Sequence, residues 1–282
     1  MKIPWVGRGL RAVFFFTLLG FGLGAVPLRA DEPVIDARSA AVLAAASAFY
    51  AGLQSFQVDG VVTMKVERPG SRSAFDEGFT MAMARPGSFA FVKTSGINTG
   101  TALVSDGKLA KAYLSLQKEY LSAAAPEDFS ELITSTTLMN YGRVLVNASL
   151  FKALLAKYPF GTLATSRATG VYIGSEKIGN TDADHLQLTE LGAVSDLWFA
   201  SGSSPVLLQY RWTFTRPGSA ADPAAPKSEQ DYVFSNWKLN PAVPAEQFAF
   251  DPPTDAAQVE AFSMPGQKEE APSWLKKSTA SP

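Results

Sequence analysis

The sequence predicts an α+β domain in which a curved antiparallel sheet of about ten strands carries an N-terminal helix on its concave face. Three observations predict it. An Ala-rich amphipathic stretch near the N-terminus gives way to runs whose hydrophobic period is two. About ten such runs are set against only about three helical stretches by the same templates. A helix of about 18 residues is about 27 Å long and about 10 Å wide, so it shields only two or three strands spaced about 4.8 Å apart. The surplus of apolar strand face must pack on a second sheet, curl on itself or hold a ligand.

From Asp36 to Leu53 the chain reads DARSAAVLAAASAFYAGL, with Val42, Ala46, Phe49 and Leu53 on one stripe and Leu43 and Tyr50 beside it. The period then becomes two. Phe56, Val58, Val62, Met64 and Val66 share one face while Gln57, Asp59, Thr63, Lys65 and Glu67 share the other, with Gly60 read as a bend or bulge. A Pro69-Gly70-Ser71 turn leads to Phe75, Phe79, Met81 and Met83, interrupted by Glu77 on the apolar side, and the two runs read as an antiparallel pair. Strands are predicted near 89–95, 101–106, 109–114 and 118–122, with Asp106-Gly107 as the turn of a tight hairpin. Helices are predicted near 126–137, opening on Pro126-Glu127-Asp128, and near 148–158. Strands resume near 163–175, 183–190, 194–200, 205–216 and 229–238. The clearest sets Val206, Leu208, Tyr210, Trp212 and Phe214 against Leu207, Gln209, Arg211, Thr213 and Thr215. Pro217–Lys227 reads as a loop, and residues 263–282 as a disordered tail. Residues 31–262 form a single domain on this reading.

The N-terminus reads as an address. Lys2, Arg8 and Arg11 precede the apolar run Ala12–Val26, followed by Pro27, Ala30 and Asp31-Glu32-Pro33. This is the order of a secretory signal peptide, predicted to span residues 1–30 and to be cut after Ala30. The expected product is a protein of about 252 residues, periplasmic or otherwise exported, without a lipid-anchor Cys.

Composition removes whole classes of chemistry. With 46% hydrophobic and 18% charged residues the chain is globular. It has no Cys and one His, His185, so disulfide scaffolds, thiol enzymes and Cys-ligated metals are excluded, and His-dependent triads or zinc sites lack their ligands. Of its 25 basic residues, Lys2, Arg8, Arg11 and Arg29 belong to the leader, leaving 21 against 26 acidic ones. An acidic chain without a basic cluster does not suit nucleic acid. No metal motif, phosphate loop or nucleophile elbow is present, so neither cofactor nor catalysis is expected.

If the sheet curls around a ligand, the lining is Val62, Met64, Phe79, Met81, Met83, Phe91, Leu208, Tyr210, Trp212 and Phe214. Met and aromatic side chains of this kind suit a flexible apolar cavity, and equally an ordinary dry core. Arg85 is placed at the rim, facing a ligand head group or held in a structural ion pair. His185 falls on the polar side of its strand with Gln187 and Thr189, as a surface or network residue. Glu77 is either an exposed strand start beside Asp76 or a buried carboxylate that must find a partner or protonate.

Several motifs resemble the LolA-like superfamily of outer-membrane lipoprotein carriers, most nearly an uncharacterised periplasmic branch of it. Arg85-Pro86 precedes a strand, and Leu103-Val104-Ser105-Asp106-Gly107-Lys108 leads to Tyr113 and Gln117. Tyr172-Ile173-Gly174, Asp184-His185-Leu186, Leu197-Trp198-Phe199 and Phe248-Ala249-Phe250-Asp251-Pro252-Pro253 follow in the same order. The resemblance implies a strongly curved antiparallel sheet, an open half-barrel, with the N-terminal helix and short helices covering its concave face. It also implies a non-catalytic periplasmic protein holding a lipid, acyl chain or other apolar ligand, or alternatively an envelope sensor or adaptor that binds another protein. Phe89-Ala90-Phe91 departs from the carriers, which place a polar residue between the two aromatics, and a basic docking surface is not visible. An exported hydrolase using acidic residues is the third reading, without a motif behind it.

Overall fold

The computed structural model describes residues 35–126, 128, 131, 147–161, 163, 169–190, 192–215 and 227–263. The predicted signal peptide 1–30, most of the helix near 126–137, the loop from Pro217 and the tail beyond Ser263 lie outside the described residues.

Helix α1 spans Ala37–Gly52. Asp36 caps it: its carboxylate accepts from the Ser39 backbone N–H at 2.8 Å and from that of Tyr172 at 2.6 Å, tying the helix start to the sheet. These backbone donors hold the Asp36 carboxyl below its ordinary value. Ser39, Val42, Leu43, Ala46 and Tyr50 form the buried face; Phe49, placed on the stripe, is half-buried, and Tyr50 beside it takes the inward place.

Strands β1 (Ser55–Arg68) and β2 (Ser71–Ala84) form one long hairpin, turning at Pro69-Gly70 with Gly70 at φ +75°. β3 (Ser88–Lys93), β4 (Ala102–Asp106), β5 (Leu109–Leu114) and β6 (Glu119–Ala124) continue it as a meander. Helix α2 (Ala148–Leu155) precedes a second meander, formed by β7 (Thr169–Ile178), β8 (Thr181–Glu190), β9 (Ala193–Ala200), β10 (Leu207–Thr215) and β11 (Lys227–Leu239). β11 pairs with β1, joining both meanders into one 12-stranded sheet. Among the strands of the described residues only β12 (Ala257–Gln258), on β6, is parallel, and Ile35 adds a single parallel bridge at Gly170.

The sheet is curved and open, with β12 and β7 at its edges. One core cluster takes in Leu121 of β6, Leu188 of β8 and both helices. Ten strands run from β6 to β8 in the sheet order, about 43 Å if laid flat. The two helices, about 24 Å and about 12 Å long, are shorter than that flat width, and the curved sheet brings residues from both its halves into one core with them.

The bulge read at Gly60 is a correction to the sequence reading. The β1–β2 register runs unbroken from Ser55 to Arg68, so no bulge falls at Gly60. A Cβ there would lie 2.2 Å from Cζ of Phe79, whose ring lies over the glycine. The bulges fall elsewhere: one in β11 against Gln57 and Asp59, where Asn236 takes φ +55°, one in β10 between Leu207 and Gln209, and one in β7 between Tyr172 and Gly174.

The outer face has its own cover. After β11 the chain crosses back over it, packing Phe248 on Ala82, Ala90, Ala102 and Val104, while Phe250 meets Tyr113 at 5.6 Å. Lys111 Nζ donates to the Phe250 carbonyl at 2.8 Å. The segment then adds β12 to the sheet and returns Phe262 to the inner core.

Candidate functional site

Cross-strand registers assemble the inner face row by row. Leu197, Tyr210, Tyr232, Val62 and Glu77 lie in one row across β9, β10, β11, β1 and β2, and Phe234, Gly60, Phe79 and Lys93 lie in the next. Of the predicted lining, Val62, Phe79, Met81, Met83, Phe91 and Tyr210 are all buried within the core cluster. Phe151 of α2 fills the space in front of them, 5.3 Å from Phe91, 6.2 Å from Phe79 and 6.0 Å from Tyr232 between ring centres. On this half of the face the protein's own helices occupy the concavity.

The other end of the same face is less covered. Met64 pairs across strands with Phe75, and Trp212 and Met64 both face Gln230. The rings of Trp212 and Phe214 stack at 5.6 Å with 11° between planes. Met64 and Trp212 are half-buried, while Phe214 is 36% and Phe75 43% exposed. Between this strip and the packed core lies a band of uncharged polar groups. Asn147, the N-cap of α2, donates to Gln230 Oε1 at 3.2 Å, and the hydroxyls of Ser195 and Tyr210 meet at 3.2 Å. The Tyr232 hydroxyl is buried and has no partner at full hydrogen-bonding geometry among the described residues. Burial pushes both phenols up, so they stay neutral donors.

Leu208 is a second correction. Strict alternation placed it inward beside Tyr210, but the β10 bulge shifts the phase, so Leu207 sits opposite Phe199 in the core and Leu208 is left half-buried. The β11 bulge acts likewise on Trp237, which packs 5.8 Å from Tyr50 and donates its indole N–H to the Leu207 carbonyl. Neither bulge is visible in a hydrophobic pattern; the sole local cue is Asn236, a residue type that tolerates positive φ.

Arg85, expected at the rim, makes no ion pair among the described residues. Its Nε donates to the carbonyl of Leu53, the C-cap residue of α1, at 3.0 Å, bracing that helix end on the sheet. Glu77 is buried, contrary to the reading of an exposed strand start: its carboxylate accepts from Lys93 Nζ at 2.7 Å and from Asn98. His185 is the network residue expected, on the outer face, stacked 4.2 Å from Trp198 with Glu176 and Asp196 at its two ring nitrogens. No group of three or more acidic or His residues suited to a metal occurs among the described residues.

A family model, described as "Predicted periplasmic protein (DUF2092)", matches residues 39–262. No curated protein matches the chain. Among solved structures it is similar to an uncharacterized conserved protein from Thermus thermophilus, with 9% identity and a TM-score of 0.43 over 79% of this chain and 99% of that one. It is also similar to a LolA superfamily protein from Nitrosomonas europaea, with 14% identity and a TM-score of 0.32 over 75% and 97%. A third is the Pseudomonas aeruginosa MucA/MucB complex, with 13% identity and a TM-score of 0.39 over 76% and 62%. Among the described residues no helix is long and apolar enough to cross a membrane.

Proposed function

The chain belongs to the DUF2092 family of predicted periplasmic proteins, and we propose that it is a binding protein that holds a lipid, acyl chain or other apolar ligand against the inner face of its sheet, without covalent chemistry. One observation carries the reading. The apolar inner face continues past the part that α1 and α2 fill, leaving Met64, Phe75, Trp212 and Phe214 partly open to solvent. An acyl chain laid along these rings gains about 0.8 kcal/mol per buried CH₂, so ligand length governs capture more than head group does. The buried residues Phe79, Met81, Met83 and Phe91 join the site only where α2 yields its place. That makes the exposed strip the entry and the packed half a reserve.

Native protein extracted with organic solvent and examined by mass spectrometry should release a lipid. Fluorescent fatty acids titrated across chain lengths should bind saturably and more tightly with length. Replacing Trp212 and Phe214 by Ser together should weaken binding at least tenfold while far-UV circular dichroism stays unchanged. Absence of saturable binding to the wild-type protein, or undiminished binding by the folded variant, refutes the reading. The exposed strip is then the docking face of an envelope adaptor.

A further inference from the structure

Two motifs about twenty residues apart in sequence meet at the end of the sheet remote from the apolar strip. The β2–β3 turn supplies Pro86, Gly87 and Ser88, and the β4–β5 hairpin supplies Asp106, Gly107 and Lys108; with Pro126 they line a cleft of about 560 Å³. The two turns are locked together. Ser105 Oγ donates to the Gly87 carbonyl at 3.0 Å and accepts from the Gly107 N–H at 3.2 Å. Gly87 and Gly107 approach so closely that a Cβ on Gly87 would lie 3.0 Å from the Gly107 Cα, and Gly107 takes φ +87°. The cleft is of the size that small-molecule sites have, about 300–1,000 Å³.

Its charges are one of each sign. Asp106 Oδ1 accepts the backbone N–H groups of Lys108 and Leu109 at 2.7 and 2.8 Å, which keeps the carboxyl below its ordinary value and leaves Oδ2 without a bond among the described residues. Lys108 is exposed and makes no ion pair among the described residues. A simple anion would meet the Asp106 carboxylate and a simple cation the Lys108 ammonium. We propose that this cleft binds a zwitterion, a molecule with one ammonium and one anionic group on a small body, with Asp106 facing the ammonium, Lys108 the anion, and the rings of Pro86 and Pro126 the body. Amino acids and the ethanolamine phosphate head group of a lipid share this chemistry.

The site is independent of the apolar strip. Phe75 and Ala84 are nine residues apart on β2, about 30 Å along the strand. Failure of fatty-acid binding therefore leaves this proposal standing, and the reverse also holds. The test is a titration of isotope-labelled full-length protein, following the amide signals of Gly87, Ser88, Gly107 and Lys108. L-phenylalanine and glycerophosphoethanolamine are the two probes, with benzylamine and phenylacetate as singly charged controls.

Saturable shifts of these four amides by either zwitterion are expected, and the probe that gives them identifies a free amino acid or a lipid head group as the source. Each control should bind about two- to fivefold more weakly, the worth of one exposed ion pair. Asp106→Asn keeps an oxygen for the two backbone N–H groups, so the hairpin stays folded, and it should weaken binding to the same degree, as should Lys108→Gln. No saturable shift by either zwitterion, or undiminished binding in the Asp106→Asn/Lys108→Gln double variant, overturns the proposal.

Discussion

Lys93→Met isolates the buried ion pair beneath the β3–β4 loop. Glu77 and Lys93 side chains are only 1% and 4% exposed, and their charged atoms stand 2.7 Å apart. The substitution keeps most of the Lys93 volume but removes the ammonium, leaving a carboxylate in an apolar core with Asn98 as its remaining hydrogen-bond donor. Breaking a buried pair on one side costs about 3–5 kcal/mol, because the remaining charge loses its compensation. With a urea dependence of about 3 kcal/mol per M, the unfolding midpoint should fall by about 1 to 1.7 M. Total stability for a domain is only about 5–15 kcal/mol, so the single variant stands near the limit of folding.

The double variant Glu77→Leu/Lys93→Met decides the matter even if the single one fails to fold. Replacing both charges by apolar side chains removes the desolvation cost together with the attraction, and is about neutral or stabilising by about 1–4 kcal/mol. Urea unfolding followed by circular dichroism and by tryptophan fluorescence reads both. A loss below about 1 kcal/mol for Lys93→Met, or a double variant no more stable than the single one, would refute the reasoning.

Gly60→Ala forces the Phe79 ring off its place and should cost about 1–3 kcal/mol, with part regained when Phe79 is shortened to Leu; thermal melts of the three variants check it. Leu207→Ala, at a fully buried position, should cost about 2–5 kcal/mol, and Leu208→Ala less than half of that, as measured by urea midpoints; equal costs would mean that the β10 bulge is misplaced. For Asp36 the sign follows from its lowered pKa: the ionised cap stabilises the fold above the ordinary value of 3.8, and that stabilisation is lost as pH falls through the lower folded value. The gap in urea midpoint between the wild-type protein and Asp36→Asn should therefore be present at neutral pH and close towards pH 2, whereas a constant gap would show that the charge of the cap contributes nothing.

The period-two runs and the Ala-rich stripe were enough to place α1, the β1–β2 hairpin and nearly every later strand within a few residues, because alternation and helical periodicity are local consequences of which side chains must leave water. The same arithmetic required the surplus apolar face to pack on a second sheet, curl on itself or hold a ligand, and left the choice among these to the tertiary structure. It was silent on the outer cover, since Phe248 and Phe250 belong to no periodic run and their partners Ala82, Ala90 and Tyr113 are distant in sequence.

The candidate site was legible as a face but not as a surface. Sequence alone determined that Val62, Met64, Phe79, Met81, Met83, Tyr210, Trp212 and Phe214 share one side of the sheet, as the registers have it. Only the tertiary structure decided which of them α2 covers, because Phe151 reaches Phe79 and Phe91 across more than fifty residues of chain. It alone decided the phase of β10 beyond Leu207 and the partner of Glu77, since a bulge and an ion pair depend on which strands lie side by side, and pairing between strands far apart in sequence leaves no trace in the pattern of either one.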